Sequence, residues 1–105
     1  MPTSQTISLK QIKEMVSSVE PDATVILYGS RARGDFNNSS DWDLLVLLKK
    51  NSIQLDDFDK VSWPLYKIGW EHGEQFSVKL YTQSDWEKRN FTPFYKMVAK
   101  EGVVL

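Results

Sequence analysis

Two aspartates, Asp41 and Asp43, stand at the head of the longest uninterrupted apolar run in the chain, Leu44–Leu48. That run is far too short to cross a bilayer. Its length and β-branched, aliphatic content read as a buried strand, predicted over Asp41–Leu48. Thr24–Tyr28 reads the same way, and Phe76–Tyr81 alternates as a half-buried strand should. Strands of this kind need apolar cover, so the remaining amphipathic segments are expected to be helices laid on a small sheet.

Those segments carry their own start and stop signals. Ser8 with Gln11 is a capping-box pattern that opens a helix near Leu9, and Pro21-Asp22 closes it. Residues 54–70 have helical spacing, with Leu55, Phe58, Val61, Leu65 and Ile68 on one face and Pro64 expected to kink or break the run. Ser84 with Glu87 is a second capping box, and Thr92-Pro93 an N-cap and first-turn pair for a last helix that stops at Gly102. The expected class is α/β (α+β): a small mixed sheet flanked by helices, one domain over residues 1–105 with a loose leader at 1–6.

Composition narrows the function. Lys and Arg total 13 against 14 Asp and Glu. Neither half departs from balance, with 6 against 6 over residues 1–53 and 7 against 8 over 54–105. A generally basic nucleic-acid surface is therefore not expected. Cysteine is absent, which excludes disulfides, thiolate catalysis and Cys-ligated zinc. The first residues have neither the basic nor the apolar region of a secretion signal, so a cytoplasmic location without a membrane anchor is the expectation. A domain this small buries a modest core, and a partner or a second copy is expected to add to its stability.

The chemistry concentrates in residues 27–48, LYGSRARGDFNNSSDWDLLVLL. Gly29-Ser30 directly follows a buried strand, where a glycine permits a sharp turn and close approach of a ligand. A helical turn starting at Ser30 would aim free amides at an anion, with the Ser30 hydroxyl and the charges of Arg31 and Arg33 beside it. Asp41 and Asp43 are two apart on a strand and share a face. At roughly 6–7 Å apart they repel by about 2–3 kcal/mol at an effective dielectric of about 20, unless a cation lies between them. Oxygen ligands that leave room for phosphate suit Mg²⁺. Ten residues separate Ser30 from Asp41, enough to bring both groups to one edge of the sheet, as phosphoryl or nucleotidyl transfer requires.

Gly29-Ser30, ten residues, then Asp41-Trp42-Asp43 resembles the signature of the DNA polymerase β-like nucleotidyltransferase superfamily. The chain as a whole, from about residue 8 to its end, is similar to the minimal nucleotidyltransferases. The resemblance implies the polymerase β-like palm fold. It implies that Gly29 and Ser30 hold the β- and γ-phosphates of a nucleoside triphosphate, with Arg31 and Arg33 assisting, and that Asp41 and Asp43 ligate Mg²⁺. A nucleoside monophosphate, AMP from ATP, would pass to an acceptor hydroxyl with release of pyrophosphate. Minimal members are often encoded beside a helical HEPN-domain partner, and some act as antitoxins that attach AMP to a tyrosine of it. The family usually has a third carboxylate on the next strand. Matching FSVKLYTQSDW to that strand puts Ser77 there, with Lys79 on the same face, and Glu74 out of phase. Serine is neither a good metal ligand nor a base near neutral pH. A catalytically weak or inactive nucleotide-binding antitoxin or complex subunit is therefore the alternative function.

Other features have plainer readings. Gly29–Gly34 has Asp35 where a P-loop needs lysine, so it is not one. Arg33-Gly34-Asp35 is a turn, Trp42 should face the core opposite the two aspartates, and His72 sits in a turn. Trp63, Tyr66 and Trp70 form a stripe roughly opposite the core face of their helix, which is either a protein interface or, if Pro64 shifts the phase, internal packing.

Overall fold

A computed structural model of the chain describes residues 7–37 and 39–105; the leader at 1–6 lies outside them. The elements run α1 (Leu9–Val19), β1 (Thr24–Tyr28), α2 (Ser30–Arg33), β2 (Trp42–Leu48), α3 (Leu55–Asp57), a π-helical turn (Phe58–Ser62), α4 (Trp63–Glu71), β3 (Phe76–Thr82), α5 (Gln83–Glu87), α6 (Pro93–Glu101) and β4 (Val103–Val104). The strands form one mixed sheet in the order β3-β2-β1-β4. β1 is antiparallel to both β2 and β4, whereas β2 and β3 are parallel, joined by the α3–α4 crossover.

The most apolar strand lies inside the sheet, as its composition demands. Leu44, Val46 and Leu48 point to one face with Val25 and Leu27, and there meet Ile12, Val16, Val61 and Leu65 of the α1 and π–α4 layer. Leu45 and Leu47 point to the other face with Tyr28, against Trp86 and Val98 of the α5–α6 layer. Burial on both faces explains the unbroken run of leucine and valine.

The predicted caps are present. Ser8 and Gln11 make a reciprocal capping box, and the Thr92 hydroxyl accepts from Tyr95 N. One start is earlier than predicted: Thr82, not Ser84, caps α5, its hydroxyl accepting from Asp85 N at 3.0 Å. β4 goes beyond the sequence expectation, because a pair of valines after a stop glycine is too short to read as a strand. It is the Leu27↔Val103 and Ile26↔Val104 pairing that makes it one.

Pro64 neither ends nor breaks its helix. The wide turn just before it lets Trp63 N donate to Phe58 O, five residues back, and Pro64 then falls in the first turn of α4, where its missing N–H costs nothing. The extra residue rotates everything upstream by about 100°. Val61 and Leu65 stay in the core as predicted, but Leu55 is 88% exposed and Phe58 48%. Trp63 and Trp70 do face outward and touch edge-to-face at 5.3 Å between centroids. Tyr66 instead packs against the core, its hydroxyl accepting from Val78 N at 3.2 Å. Among the described residues no helix is long and apolar enough to cross a membrane.

Candidate active site

The site forms where β1 ends and β2 and β3 begin. Tyr28 pairs with Asp43 across the antiparallel ladder, and Asp43 pairs with Ser77 across the parallel one. The chain leaves β1 through Gly29, whose φ of +78° is open to glycine and strained for any other residue. The space around it excludes a side chain too. A Cβ at Gly29 would overlap Asp43 Oδ2 and lie 3.2 Å from Asp43 Cγ. The Gly29-Ser30 bend and the second aspartate are therefore in direct apposition.

α2 begins immediately after this bend. Its first backbone bonds run from Ala32 N and Arg33 N to Gly29 O, both at 3.0 Å, so the amides of Ser30 and Arg31 precede the ladder. Gly34, at φ +90°, closes the turn by donating to Ser30 O at 2.9 Å. Ser30 is half-buried, beside Gly29 and Asp43.

Asp41 is exposed just ahead of β2, and Asp43 is half-buried one pleat inside it. Burial, and then the neighbouring Asp41 charge, push the Asp43 carboxyl above the ordinary aspartate range, against weaker opposing pulls from Lys79 and Arg33. The Asp41 charge thus reaches Asp43 from just outside β2. Tyr28, on the same face, has its phenol pushed up to about 12 by burial first and the Asp43 charge second. Asp41 and Asp43, neighbouring carboxylates beside the Gly29-Ser30 bend, are the residues here that could hold a divalent ion. Among the described residues no group of three His, Cys, Asp or Glu is placed to hold a metal.

The two arginines have different fates. Arg33 stays near the site, 44% exposed, bound to Asp35 at 3.2 Å and to Glu101 of α6 at 2.9 Å. Arg31 turns to the opposite face. Its side chain is only 9% exposed and sits between the rings of Phe36 and Trp42, 4.8 and 4.4 Å from their centroids. It donates to Ser40 O through Nε at 3.2 Å and Nη2 at 3.1 Å, and pairs with Glu74 at 3.3 Å. Glu74 also accepts from Trp42 Nε1 at 3.3 Å. Arg31 therefore clamps the loop that delivers Asp41, rather than presenting its charge beside Asp43. The residue types around Arg31 are visible in sequence, but its partner Glu74 lies across the fold and leaves no local signal.

Trp42 is buried behind the aspartates, tilted against Phe76. His72 caps the end of α4 with Nδ1 2.8 Å from Ile68 O. On β3, the side chains that share Asp43's face are Ser77, Lys79 and Tyr81. None is a carboxylate, and Glu74 is out of phase as expected.

Known proteins are similar to this chain. The model of the nucleotidyltransferase domain family matches residues 9–105. Two proteins of Methanocaldococcus jannaschii, each named "Putative protein adenylyltransferase", are similar in sequence. MJ0604 is 30% identical over 101 residues, covering 91% of this chain and 95% of its own. MJ0141 is 43% identical over 44 residues, 40% of this chain and 44% of its own. Among solved structures, a toxin-antitoxin with AMP-PNP and a mutant of the toxin-antitoxin MntA-HpeT each superpose with a TM-score of 0.63 at 16% identity. They cover 93% and 95% of this chain and 72% of theirs. With a match that spans nearly all of the described residues and a Gly-Ser bend set against its second aspartate, the chain belongs to the nucleotidyltransferase domain family.

Proposed function

We propose that this protein transfers AMP from ATP to a hydroxyl on a partner protein. The observation that carries the reading is the apposition of Gly29 and Asp43, which sets the Gly29-Ser30 bend against a carboxylate. Ser30, through its hydroxyl and amide, takes the triphosphate with Gly29, and Arg33 adds charge. Asp41 and Asp43 would hold Mg²⁺, which when bound offsets phosphate charge and orients the α-phosphate. The acceptor hydroxyl loses its proton to water as its oxygen bonds to the α-phosphorus, the α–β anhydride breaks, and pyrophosphate leaves. The similarity to proteins named as adenylyltransferases supports AMP as the group moved, and the toxin-antitoxin neighbours, one with AMP-PNP, support a protein partner and an ATP-like donor. A helical HEPN-type protein is the partner class this reading favours.

The pairing of Asp43 with Ser77 favours a second reading. No carboxylate stands there to take the acceptor's proton, so in this reading the chain binds nucleotide and partner while transferring slowly or not at all. Incubation with Mg·ATP and the protein encoded beside it, followed by intact-mass measurement, separates the two. One added AMP on the partner, lost with Asp43→Ala, supports the enzyme. A stable complex without added mass supports the binding module.

A further inference from the structure

We propose that Lys79 is a triphosphate-contacting residue, a permanent cation on the face that it shares with Asp43 and Ser77; this presupposes that the site takes nucleotide. Three observations support it. Lys79 pairs with Leu45 in the β2–β3 register and so projects to the same face as Asp43 and Ser77. Its Nζ lies 6.0 Å from the Phe94 ring centroid, and Phe94 in turn meets Tyr28 edge-to-face at 5.3 Å. Tyr28 is the residue directly opposite Asp43, so the ammonium stands over the floor of the site.

Its charge is also the least shared. Arg31 is committed to Glu74 on the far face, and Arg33 lends only part of its charge because it also pairs with Asp35 and Glu101. Lys79 is exposed and in none of the ion pairs among the described residues. Asp41 and Asp43 with one Mg²⁺ sum to no net charge, and leave a triphosphate short of cations. A third carboxylate would recruit a further metal ion; a lysine supplies positive charge directly and needs no ion to do so.

The consequence is nucleotide affinity that depends only in part on divalent cation. Calorimetric titration of ATP into the full chain, once with EDTA and once with Mg²⁺, tests it. Wild type should bind in both conditions. Lys79→Ala should weaken binding about tenfold in each, and Lys79→Arg should stay within about threefold of wild type. Lys79 is exposed, so melting temperatures should be unchanged. If wild type binds ATP and Lys79→Ala binds it equally well in both conditions, the role of Lys79 is overturned while the nucleotide site stands. If wild type binds no nucleoside triphosphate in either condition, the nucleotide reading itself falls.

Discussion

Gly29 has no room for a side chain because the carboxylate of Asp43 occupies the place where its Cβ would be. This one contact joins the end of β1 to the start of β2 and defines the reacting edge of the sheet. Gly29→Ala should therefore be costly twice over. A positive φ costs an alanine about 1–2 kcal/mol, and Asp43 must swing away. The expected result is a folded, less stable protein with nucleotide transfer reduced far more than its stability, read by chemical denaturation beside a transfer assay.

Asp43 should also trade stability for function. Its carboxyl is raised above the ordinary range by burial and by Asp41, so the folded protein holds that proton more readily than the unfolded chain does. Stability from this group is then greatest in acid. It declines as pH rises from the ordinary aspartate range through the raised value, and the penalty is complete at neutral pH. Asp43→Asn removes the penalty. Thermal melts without metal should show the variant more stable than the parent at neutral pH, with the gap closing in acid. A variant less stable than the parent at neutral pH would contradict this.

Ser77 is the position at which activity should be adjustable. Ser77→Asp puts a carboxylate directly beside Asp43 in the parallel register. Without metal it should lower the melting temperature by like-charge repulsion, and Mg²⁺ should restore more stability than it gives the parent. If the missing base limits transfer, the rate should rise about tenfold or more. An unchanged rate would mean that the partner or another residue supplies that group.

Arg31 should matter for architecture. It ties Ser40 O and Glu74 together between two rings, and its loss leaves Glu74 beside Trp42 without its cation. Arg31→Ala should cost about 2–3 kcal/mol. Arg31→Lys should recover little, because an ammonium cannot make the planar stack and the double contact to Ser40 at once. Denaturant midpoints for the two variants check this.

The outward tryptophans should be dispensable for folding. Trp63 and Trp70 are 51% and 62% exposed and mainly meet each other, so Trp63→Ala with Trp70→Ala should cost less than about 1.5 kcal/mol. Tyr66→Phe, which strips a bond from Val78 N on the edge strand, should cost about 1 kcal/mol alone. Loss of partner association in the folded tryptophan variant would identify this face as an interface.

Much of this edge is legible without coordinates, because its rules are local. Trp42 is buried on the face opposite Asp43, and Ser77 with Lys79 lies on Asp43's own face, as alternation requires. Capping residues mark α1 and α6 for the same reason. The remainder depends on distant contacts. The outward turn of Leu55 and Phe58 comes from one π-helical residue inserted to accommodate Pro64, which periodicity at 3.6 cannot foresee. β4 exists only as the partner of β1. Arg31 reads as a phosphate ligand from its place after Gly29-Ser30, and only the fold brings it Glu74.

Asp41 and Asp43 are expected to hold a metal ion against a triphosphate gripped at Gly29-Ser30. The most direct measurement is the gain in ATP affinity that Mg²⁺ produces, compared between the parent and Asp43→Asn. The gain should be clear in the parent and absent in the variant. An equal gain in both would show that the metal reaches the nucleotide without this carboxylate, and would contradict the account.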